Sequence, residues 1–356
     1  MKLISHVLAV NGNIGYASEL EKNGLFEVNL ETGDSKYICL FPDEEITRGR
    51  IHSSAVCIDE RVFFVPEAGN NISIYHINTG DVETIKIPIF AKNHTYNPRF
   101  KFAKSIVYGH CLWLIPATYP GILKFDLQTN EIAIIDNCFI NTEYMFRRAI
   151  CIKKNMIFAA SGINNRVLIF DVDLETGKIV SIGNNNNGIM DMCMSGDDFI
   201  MAPRKKGAVI KWNYSTNVIE EYNDYPATFK FGEIVFERVY EYGSQFFIAP
   251  GHASNGVRLT DVGLSIEDEV CWKTDNESKV GFMFEANNRL YFREQFLNQS
   301  NRFYFVDRNN NEMSPCDFQI VNPTERKSAF VHAATEKHEV IKESKTFGLQ
   351  DFIKSI

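Results

Sequence analysis

The sequence predicts an all-β fold made of seven successive copies of one four-stranded unit. The prediction rests on a short recurring phrase. In each copy an apolar run ends in Asn, Asp or His, and a polar turn such as Thr-Gly often follows. The phrase recurs at intervals of 42 to 50 residues, a period typical of repeat architectures. Its seven anchor residues are Asn29, His76, Asp126, Asp171, Asn213, Asp261 and Asp307.

Each unit contains more than the recurring phrase. Upstream of it lie two apolar segments separated by a polar turn, as in residues 53–66 and 103–116. Such pairs are typical of hairpins whose strands are buried on both faces. The run after the phrase, for example residues 81–87, alternates between apolar and polar residues, which indicates a half-exposed strand. We therefore expect two buried strands, the phrase strand and one peripheral strand in every unit.

This gradient from buried to exposed strands is expected when four-stranded antiparallel sheets pack radially around an axis. Seven units predict a seven-bladed β-propeller that forms a single domain over residues 1–322. An open solenoid is the competing architecture, but it needs atypical polar caps, and residues 2–10 look like a blade strand. The predicted blades lie near residues 2–40, 51–87, 103–135, 147–182, 188–221, 234–272 and 279–320.

Residues 323–356 form a tail that we expect to close or cover the propeller. The apolar run Ser328–His332 predicts a strand beside the N-terminal blade. Leu349, Phe352, Ile353 and Ile356 follow at helical spacing. This pattern predicts a helix that covers the rim, or alternatively one that docks onto a partner protein.

Taken together, residues 1–320 resemble the seven-bladed β-propeller superfamily. The phrases Ile74–Gly80 and Leu168–Gly177 are similar to those of irregular bacterial propellers of the kelch-like, NHL-like and streptogramin-lyase-like kind. The Gly-His…Trp-Asp signature of WD repeats and the Gly-Gly doublets of kelch repeats are absent from the sequence. The resemblance implies a fold, and the shared phrase is a structural turn motif that carries no activity.

The composition of the chain disfavours several classes of function. A net charge of −8 disfavours a general nucleic-acid binder, which needs clustered Lys and Arg. No apolar run is long enough for a membrane span, and the eight cysteines lack CxxC or disulfide-scaffold spacing. Cys111 and three other cysteines have the pattern of small buried residues in a reducing compartment. We expect a cytoplasmic protein without nucleic-acid partner, membrane association, metal or cofactor.

By analogy with other propellers, we expect binding groups in the loops between second and third strands and between blades. These segments concentrate cationic and aromatic side chains, which suit an anionic or carbohydrate-like small ligand or a protein partner. The alternative is that these side chains only face water. The predicted ligand-binding residues are Arg50, His52, Glu67, His94, Tyr96, Arg99, Tyr119, Arg147, Arg148 and Arg204.

Two other functions stay open at this point. Propeller lyases use His, Glu or Arg near the channel mouth, and His252 with Glu294 and nearby arginines fits such a lyase or hydrolase. His52, His94 and His252 belong to different blades without short ligand spacing, so they predict no metal site. His110 has the pattern of a turn residue. The third function is a pure protein-interaction scaffold that works through the rim or the tail.

Overall fold

The computed structural model describes residues 2–20, 22–44, 50–88, 97–136, 145–183, 187–267, 278–296 and 302–336. These residues form seven four-stranded antiparallel sheets, the blades of a seven-bladed β-propeller, together with one added strand and one helix. The predicted fold class is therefore confirmed. The chain divides into two compact units, of which the first holds blades 1 and 2 with the C-terminal segment and the second holds blades 3 to 7.

The first unit contains nine described strands and the helix. Blade 1 consists of β1 (Ser5–Asn11), β2 (Ile14–Glu19), β3 (Gly24–Asn29) and β4 (Asp34–Leu40). Blade 2 consists of β5 (His52–Ile58), β6 (Arg61–Pro66), β7 (Asn71–His76) and β8 (Val82–Lys86). Further along the chain, β29 (Gln319–Ile320) joins blade 1 as a fifth strand, and α1 (Pro323–Glu336) follows it.

The second unit contains five blades, each with its strands in chain order. Blade 3 is β9 (Phe102–Tyr108), β10 (Cys111–Pro116), β11 (Ile122–Asp126) and β12 (Ile132–Ile135), and blade 4 is β13 (Phe146–Lys153), β14 (Met156–Ser161), β15 (Arg166–Asp171) and β16 (Thr176–Ser181). Blade 5 is β17 (Ile189–Ser195), β18 (Asp198–Pro203), β19 (Val209–Asn213) and β20 (Val218–Tyr222), and blade 6 is β21 (Phe236–Tyr242), β22 (Gln245–Pro250), β23 (Val257–Thr260) and β24 (Gly263–Ile266). Blade 7 is β25 (Ser278–Ala286), β26 (Arg289–Phe296), β27 (Arg302–Asp307) and β28 (Glu312–Pro315).

The recurring phrase forms the third strand of each blade and the turn after it. Asp126 shows the chemistry, because its Oδ1 accepts hydrogen bonds from the backbone N–H groups of Gln128 at 2.8 Å and Thr129 at 3.0 Å. Asn29 makes the same pair of bonds to Glu31 and Thr32. A side-chain oxygen that bonds the backbone two residues on is the basis of the Asx turn. The anchor residues are therefore structural, as the sequence predicts.

The turn between the first and second strands requires left-handed backbone. In blade 2 both turn residues have positive φ, 45° at Asp59 and 61° at Glu60, and in blade 7 Asn287 and Asn288 have φ of 48° and 59°. Two successive positive φ values define the type I′ turn, whose twist matches that of the flanking strands. These tight turns give each blade its antiparallel register.

The C-terminal segment completes blade 1 differently from the sequence prediction. Ser328–His332 lies in the helix α1 and forms no strand. Pro323 suits the first helical position because its fixed φ is helical and the N–H that it lacks would have no intrahelical partner. The added strand is instead β29, which pairs in parallel with β4. The predicted helical tail after residue 336 lies outside the described residues.

An asparagine side chain extends this pairing beyond β29. Asn322 Oδ1 accepts a hydrogen bond from Tyr37 N at 2.7 Å, and Asn322 Nδ2 donates to Tyr37 O at 3.0 Å. The side-chain amide thus acts as one more ladder position along β4. Nearby, Arg326 of α1 forms a buried ion pair with Glu19 of β2. Strand, amide and ion pair together fasten α1 to blade 1.

Within the described residues, no helix combines the length and apolar character that crossing a bilayer demands.

Candidate functional site

Charged side chains interrupt the first strands of blades 3, 5 and 6 at one shared position. Lys104, Asp191 and Arg238 each lie four residues before the last residue of their strand, and Phe282 holds the same position in blade 7. The register with the second strand shifts by one residue beside each of them. A β-bulge of this kind re-aims a side chain. The repeat therefore directs charged groups from successive blades toward one another.

Asp191 is the most buried of these groups. Its side chain is 0% exposed, and it accepts hydrogen bonds from Arg238 Nη1 at 3.2 Å and from Val239 N at 2.9 Å. Desolvation raises the pKa of Asp191, and the Arg238 guanidinium opposes that shift. The pair joins the first strands of blades 5 and 6.

The network continues through Arg238 into blade 7. Arg238 Nη2 donates to Glu285 Oε2 at 2.8 Å, and Arg308 donates to the other oxygen of Glu285, also at 2.8 Å. The Arg238 guanidinium lies 4.8 Å from the centroid of the Phe282 ring. Such an approach adds a cation–π attraction to the ion pairs.

Blades 3 and 4 contribute two more cations. Arg148 Nη1 donates to Glu237 Oε2 at 3.0 Å, and its guanidinium lies 5.3 Å from the Phe282 centroid. Lys104 Nζ donates to the Ile150 carbonyl at 2.9 Å. Burial lowers the pKa of Lys104, and the neighbouring Arg238 charge lowers it further.

We call these residues the first-strand cluster: Lys104, Arg148, Asp191, Glu237, Arg238, Phe282 and Glu285. Three cationic side chains in it face three carboxylates, so the charges balance within the cluster. Buried charges are tolerated when they are paired and hydrogen-bonded. The first-strand cluster therefore serves to hold the five blades of this unit in register.

A second arginine arrangement lies where the second strands of blades 4 and 5 end. Arg204 Nη1 approaches the Gly162 carbonyl at 3.5 Å. The Arg147 side chain packs on the same glycine so closely that a Cβ at Gly162 would lie 2.7 Å from Arg147 Cδ. Gly188, whose φ is +70°, approaches from blade 5, and a Cβ there would lie 2.3 Å from the Gly162 carbonyl oxygen. Only glycine permits this approach, which brings both arginines to one loop.

Arg204 differs from the cations of the first-strand cluster. Within the part of the chain that the structure describes, it makes no ion pair, and its Nε is buried without a hydrogen-bond partner. The adjacent Lys205 and Lys206 are exposed. We call Arg147 and Arg204 the loop arginine pair.

The two predicted catalytic residues also belong to the second unit. His252 N donates to the Ile234 carbonyl at 2.7 Å, which fixes the backbone of the blade 6 loop. Burial lowers the pKa of His252, and the Lys279 charge lowers it further, while Glu233 opposes both. The imidazole is therefore neutral at neutral pH.

Glu294 is buried on β26, opposite Val280 in β25 and Arg302 in β27. Burial raises the pKa of Tyr304, and the Glu294 charge adds to that effect. Glu294 is not among the charges that shift the pKa of His252. Their pairing in catalysis stays a prediction.

His52 does not lie in an open loop, and that expectation is wrong. It is the first residue of β5 and is 1% exposed. Its ring packs against Phe41, with centroids 4.4 Å apart, and against Phe64 at 5.3 Å, while Nδ1 lies 2.8 Å from Ser18 Oγ. Burial lowers the pKa of His52 to about 3. The imidazole serves as a core aromatic with one polar contact.

Most of the other predicted ligand residues are dispersed. Arg50 pairs with Glu67 at 3.7 Å in the first unit. In the second unit, Tyr119 is buried against Phe102 with ring centroids 4.6 Å apart, so it offers no open stacking face, while Arg99 is exposed. His94 and Tyr96 lie outside the described residues. Of the predicted set, the structure therefore brings together Arg50 with Glu67 in the first unit and Arg147 with Arg204 in the second.

The first-strand cluster was not predicted from the sequence, apart from Arg148. The first strands have the pattern of almost wholly apolar segments, and their few charged residues occur singly or in adjacent pairs within them. A signal was nevertheless present, since Asp191, Arg238 and Glu285 are separated by 47 residues each, one repeat period. A search for charged residues spaced one repeat period apart would have found this line of alternating charge.

No family model matches the sequence, and no curated protein matches it. Solved structures do match the fold. Virginiamycin B lyase from Staphylococcus aureus superposes with a TM-score of 0.60 at 12% identity, over 88% of this chain and 97% of that chain. The chain is a seven-bladed β-propeller.

Other propellers match with similar scores. A streptogramin B lyase gives a TM-score of 0.55 at 16% identity, over 77% of this chain and 86% of its own. A chain of the mitotic checkpoint complex gives 0.57 at 9% identity, over 85% of this chain and 89% of its own. A lyase and a checkpoint component thus share this propeller fold, so the likeness establishes architecture alone.

Proposed function

We propose that this propeller binds a small anionic ligand, one that carries a carboxylate or phosphate group, at the loop arginine pair. The observation that carries the proposal is the state of Arg204, which has a carbonyl at 3.5 Å as its acceptor and no carboxylate among the described residues. A contact of that length is a weak hydrogen bond. The guanidinium therefore keeps donors for an anion, which it binds best in a bidentate manner.

The surroundings of Arg204 favour the same ligand class. Arg147 packs on the same Gly162 that Arg204 approaches, and Lys205 and Lys206 are exposed beside Arg204. These cations concentrate positive charge locally on a chain whose net charge is −8. Local positive potential raises the encounter rate of small anions. The cations of the first-strand cluster are already neutralised, so they compete less well for such a ligand.

Thermal shift and calorimetry with citrate, inorganic phosphate and galacturonate test the proposal. A ligand that binds only the native state raises the melting temperature. Removing a hydrogen bond to a charged group costs about 1.5–3 kcal/mol, which corresponds to a rise in Kd of roughly tenfold to a hundredfold for Arg204→Gln. The charge-matched control is Lys178→Gln on the exposed face of β16, which should leave Kd unchanged. Absence of binding by all three anions, or equal Kd in Arg204→Gln and wild type, contradicts the proposal.

A second candidate is a lyase, and the state of His252 favours it. A neutral imidazole at neutral pH can accept a proton from a substrate. Two solved propellers of similar fold are named as lyases of streptogramin B and virginiamycin B, at 16% and 12% identity. Incubation with virginiamycin B, followed by chromatography, tests this directly. Consumption by wild type that His252→Gln abolishes supports the lyase, and an unchanged substrate excludes this reaction.

A further inference from the structure

A separate cluster of metal-ligating side chains lies at the opposite end of blade 3 from its 117–121 loop. His110 is in the turn between β9 and β10, Cys111 begins β10, and Asp126 ends β11 directly opposite Cys111. One donor atom from each lies within 4.8 Å of the others. We propose that these three side chains bind a divalent transition metal ion, with Zn²⁺ best suited to the donor set of imidazole, thiolate and carboxylate.

The distances suit tetrahedral coordination. Two ligands that each lie about 2.0–2.1 Å from a tetrahedral Zn²⁺ are about 3.3 Å apart, and a thiolate at about 2.3 Å lies about 3.5 Å from either. His110 Nε2 and Asp126 Oδ2 are 3.3 Å apart. The side chain of His110 is 61% exposed, so its imidazole is free to rotate toward the Cys111 thiol. Water would complete the coordination sphere from the exposed side.

Asp126 is already oriented for this role. Its Oδ1 accepts hydrogen bonds from Gln128 N and Thr129 N, which leaves Oδ2 directed toward His110. The backbone N–H groups of Thr129 and Gln128 lower the pKa of Asp126, so the carboxylate stays ionised. Hydrogen bonds that fix a ligand from behind are a regular feature of protein metal sites.

Cys111 supplies the soft ligand. Burial raises the pKa of the Cys111 thiol, and the Lys124 charge opposes that shift. Lys124 is itself paired with Glu175 at 2.6 Å, so its repulsion of a bound cation is reduced. Coordination deprotonates a thiol, so a bound Zn²⁺ would hold Cys111 as the thiolate.

Blade 4 shows what the architecture alone requires at these positions. There the equivalent residues are Asn155, Met156 and Asp171, and Asn155 Nδ2 donates to Asp171 Oδ1 at 3.1 Å. In blade 4 an amide thus satisfies the anchor carboxylate, and a methionine that packs on the core occupies the position of Cys111. The turn in blade 3 therefore does not require an imidazole and a thiol, and these are groups that bind Zn²⁺.

Cobalt titration of the metal-free full-length protein tests the site. Co²⁺ can take the place of Zn²⁺ as a spectroscopic probe, and a thiolate ligand bound to Co²⁺ gives an intense charge-transfer absorption. We expect one equivalent to bind with that absorption. Cys111→Ser should abolish the absorption, and His110→Asn, which installs the blade 4 residue, should weaken Zn²⁺ affinity by at least about tenfold. Cys151→Ser, at a partly buried cysteine of β13 outside the cluster, is the matched control and should behave as wild type.

Three outcomes would overturn the proposal: no stoichiometric binding of Co²⁺ or Zn²⁺, a thiolate absorption that persists in Cys111→Ser, or equal Zn²⁺ affinity in His110→Asn and wild type. Melting temperatures in chelator distinguish a lost site from a lost fold, since each variant should remain folded without metal. Citrate or phosphate binding at the loop arginine pair should not change in these variants, so the two proposals stand or fall separately.

Discussion

Lowering the pH from 7 to 5 should destabilise the native protein through one buried side chain, His52. The unfolded chain protonates this imidazole near pH 6.5, whereas burial lowers its pKa to about 3 in the native state. Between those values the unfolded state binds more protons, so the free energy of unfolding falls as the pH falls. Above about pH 7 both states are neutral at His52 and the contribution is constant.

The magnitude follows from the two pKa values. Integrating the linkage relation from pH 7 to pH 5 gives a loss of about 2 kcal/mol, and the full shift corresponds to about 5 kcal/mol, which is reached below about pH 3. No solvent discount applies, because the residue is 1% exposed. Its ring lies between Phe41 and Phe64, where no carboxylate is among the causes of its pKa shift.

Urea unfolding of wild type and His52→Asn at pH 7 and pH 5 measures the effect. Asn keeps a polar group near Ser18 Oγ but does not titrate, and it sacrifices ring packing, so the variant is less stable at both pH values. The stability difference between the two pH values should be about 2 kcal/mol smaller in the variant than in wild type. An identical pH dependence in the two proteins would refute the reasoning, as would an NMR titration of His52 with a midpoint near 6.5.

Three further substitutions test the contacts that hold the fold. Arg326→Ala removes the cation that faces the buried Glu19 carboxylate and should lower the free energy of unfolding by about 3–5 kcal/mol, measured by thermal unfolding. The double change Arg326→Met with Glu19→Gln should recover most of that loss. Asn322→Ala removes two hydrogen bonds to the backbone of β4 and should cost about 1–3 kcal/mol in urea, with ligand binding unchanged. Asp191→Asn leaves Arg238 without its buried anion and should cost about 3 kcal/mol or more; a loss below about 0.5 kcal/mol would show that the first-strand cluster contributes little to stability.

The fold was predictable from the sequence to the extent that short local patterns determine the strands and turns. Alternation, apolar runs and turn residues act over a few positions, so the number of blades and the four antiparallel strands in each could be predicted from the sequence. The error at Ser328–His332 arose because a short apolar run does not distinguish strand from helix. Asn322 followed by Pro323 is a helix-start signal that would have decided the matter. β29 has two residues, too few for any periodic pattern.

The site was less predictable because side-chain direction depends on distant packing. His52 has the same composition cues as an exposed loop histidine, but its apolar neighbours Phe41 and Phe64 come from other strands. The ion pair between Arg148 and Glu237 spans 89 residues and skips a blade, so no local pattern marks it. Identifying such pairs requires the register between blades, which only the folded structure supplies.

The repeat provides an internal control that separates architecture from function. In blade 4, Oδ1 of the anchor Asp171 accepts both the turn N–H groups and the Asn155 amide. In blade 3, Asp126 uses Oδ1 for the turn and directs Oδ2 at an exposed imidazole. The same logic applies to Arg204, whose guanidinium has no carboxylate partner among the described residues, whereas each arginine of the first-strand cluster has one. Side chains that are not needed to hold the repeated scaffold together remain able to bind a ligand. In the second unit, the loop arginine pair and the metal-ligating side chains of blade 3 lie at opposite ends of their blades.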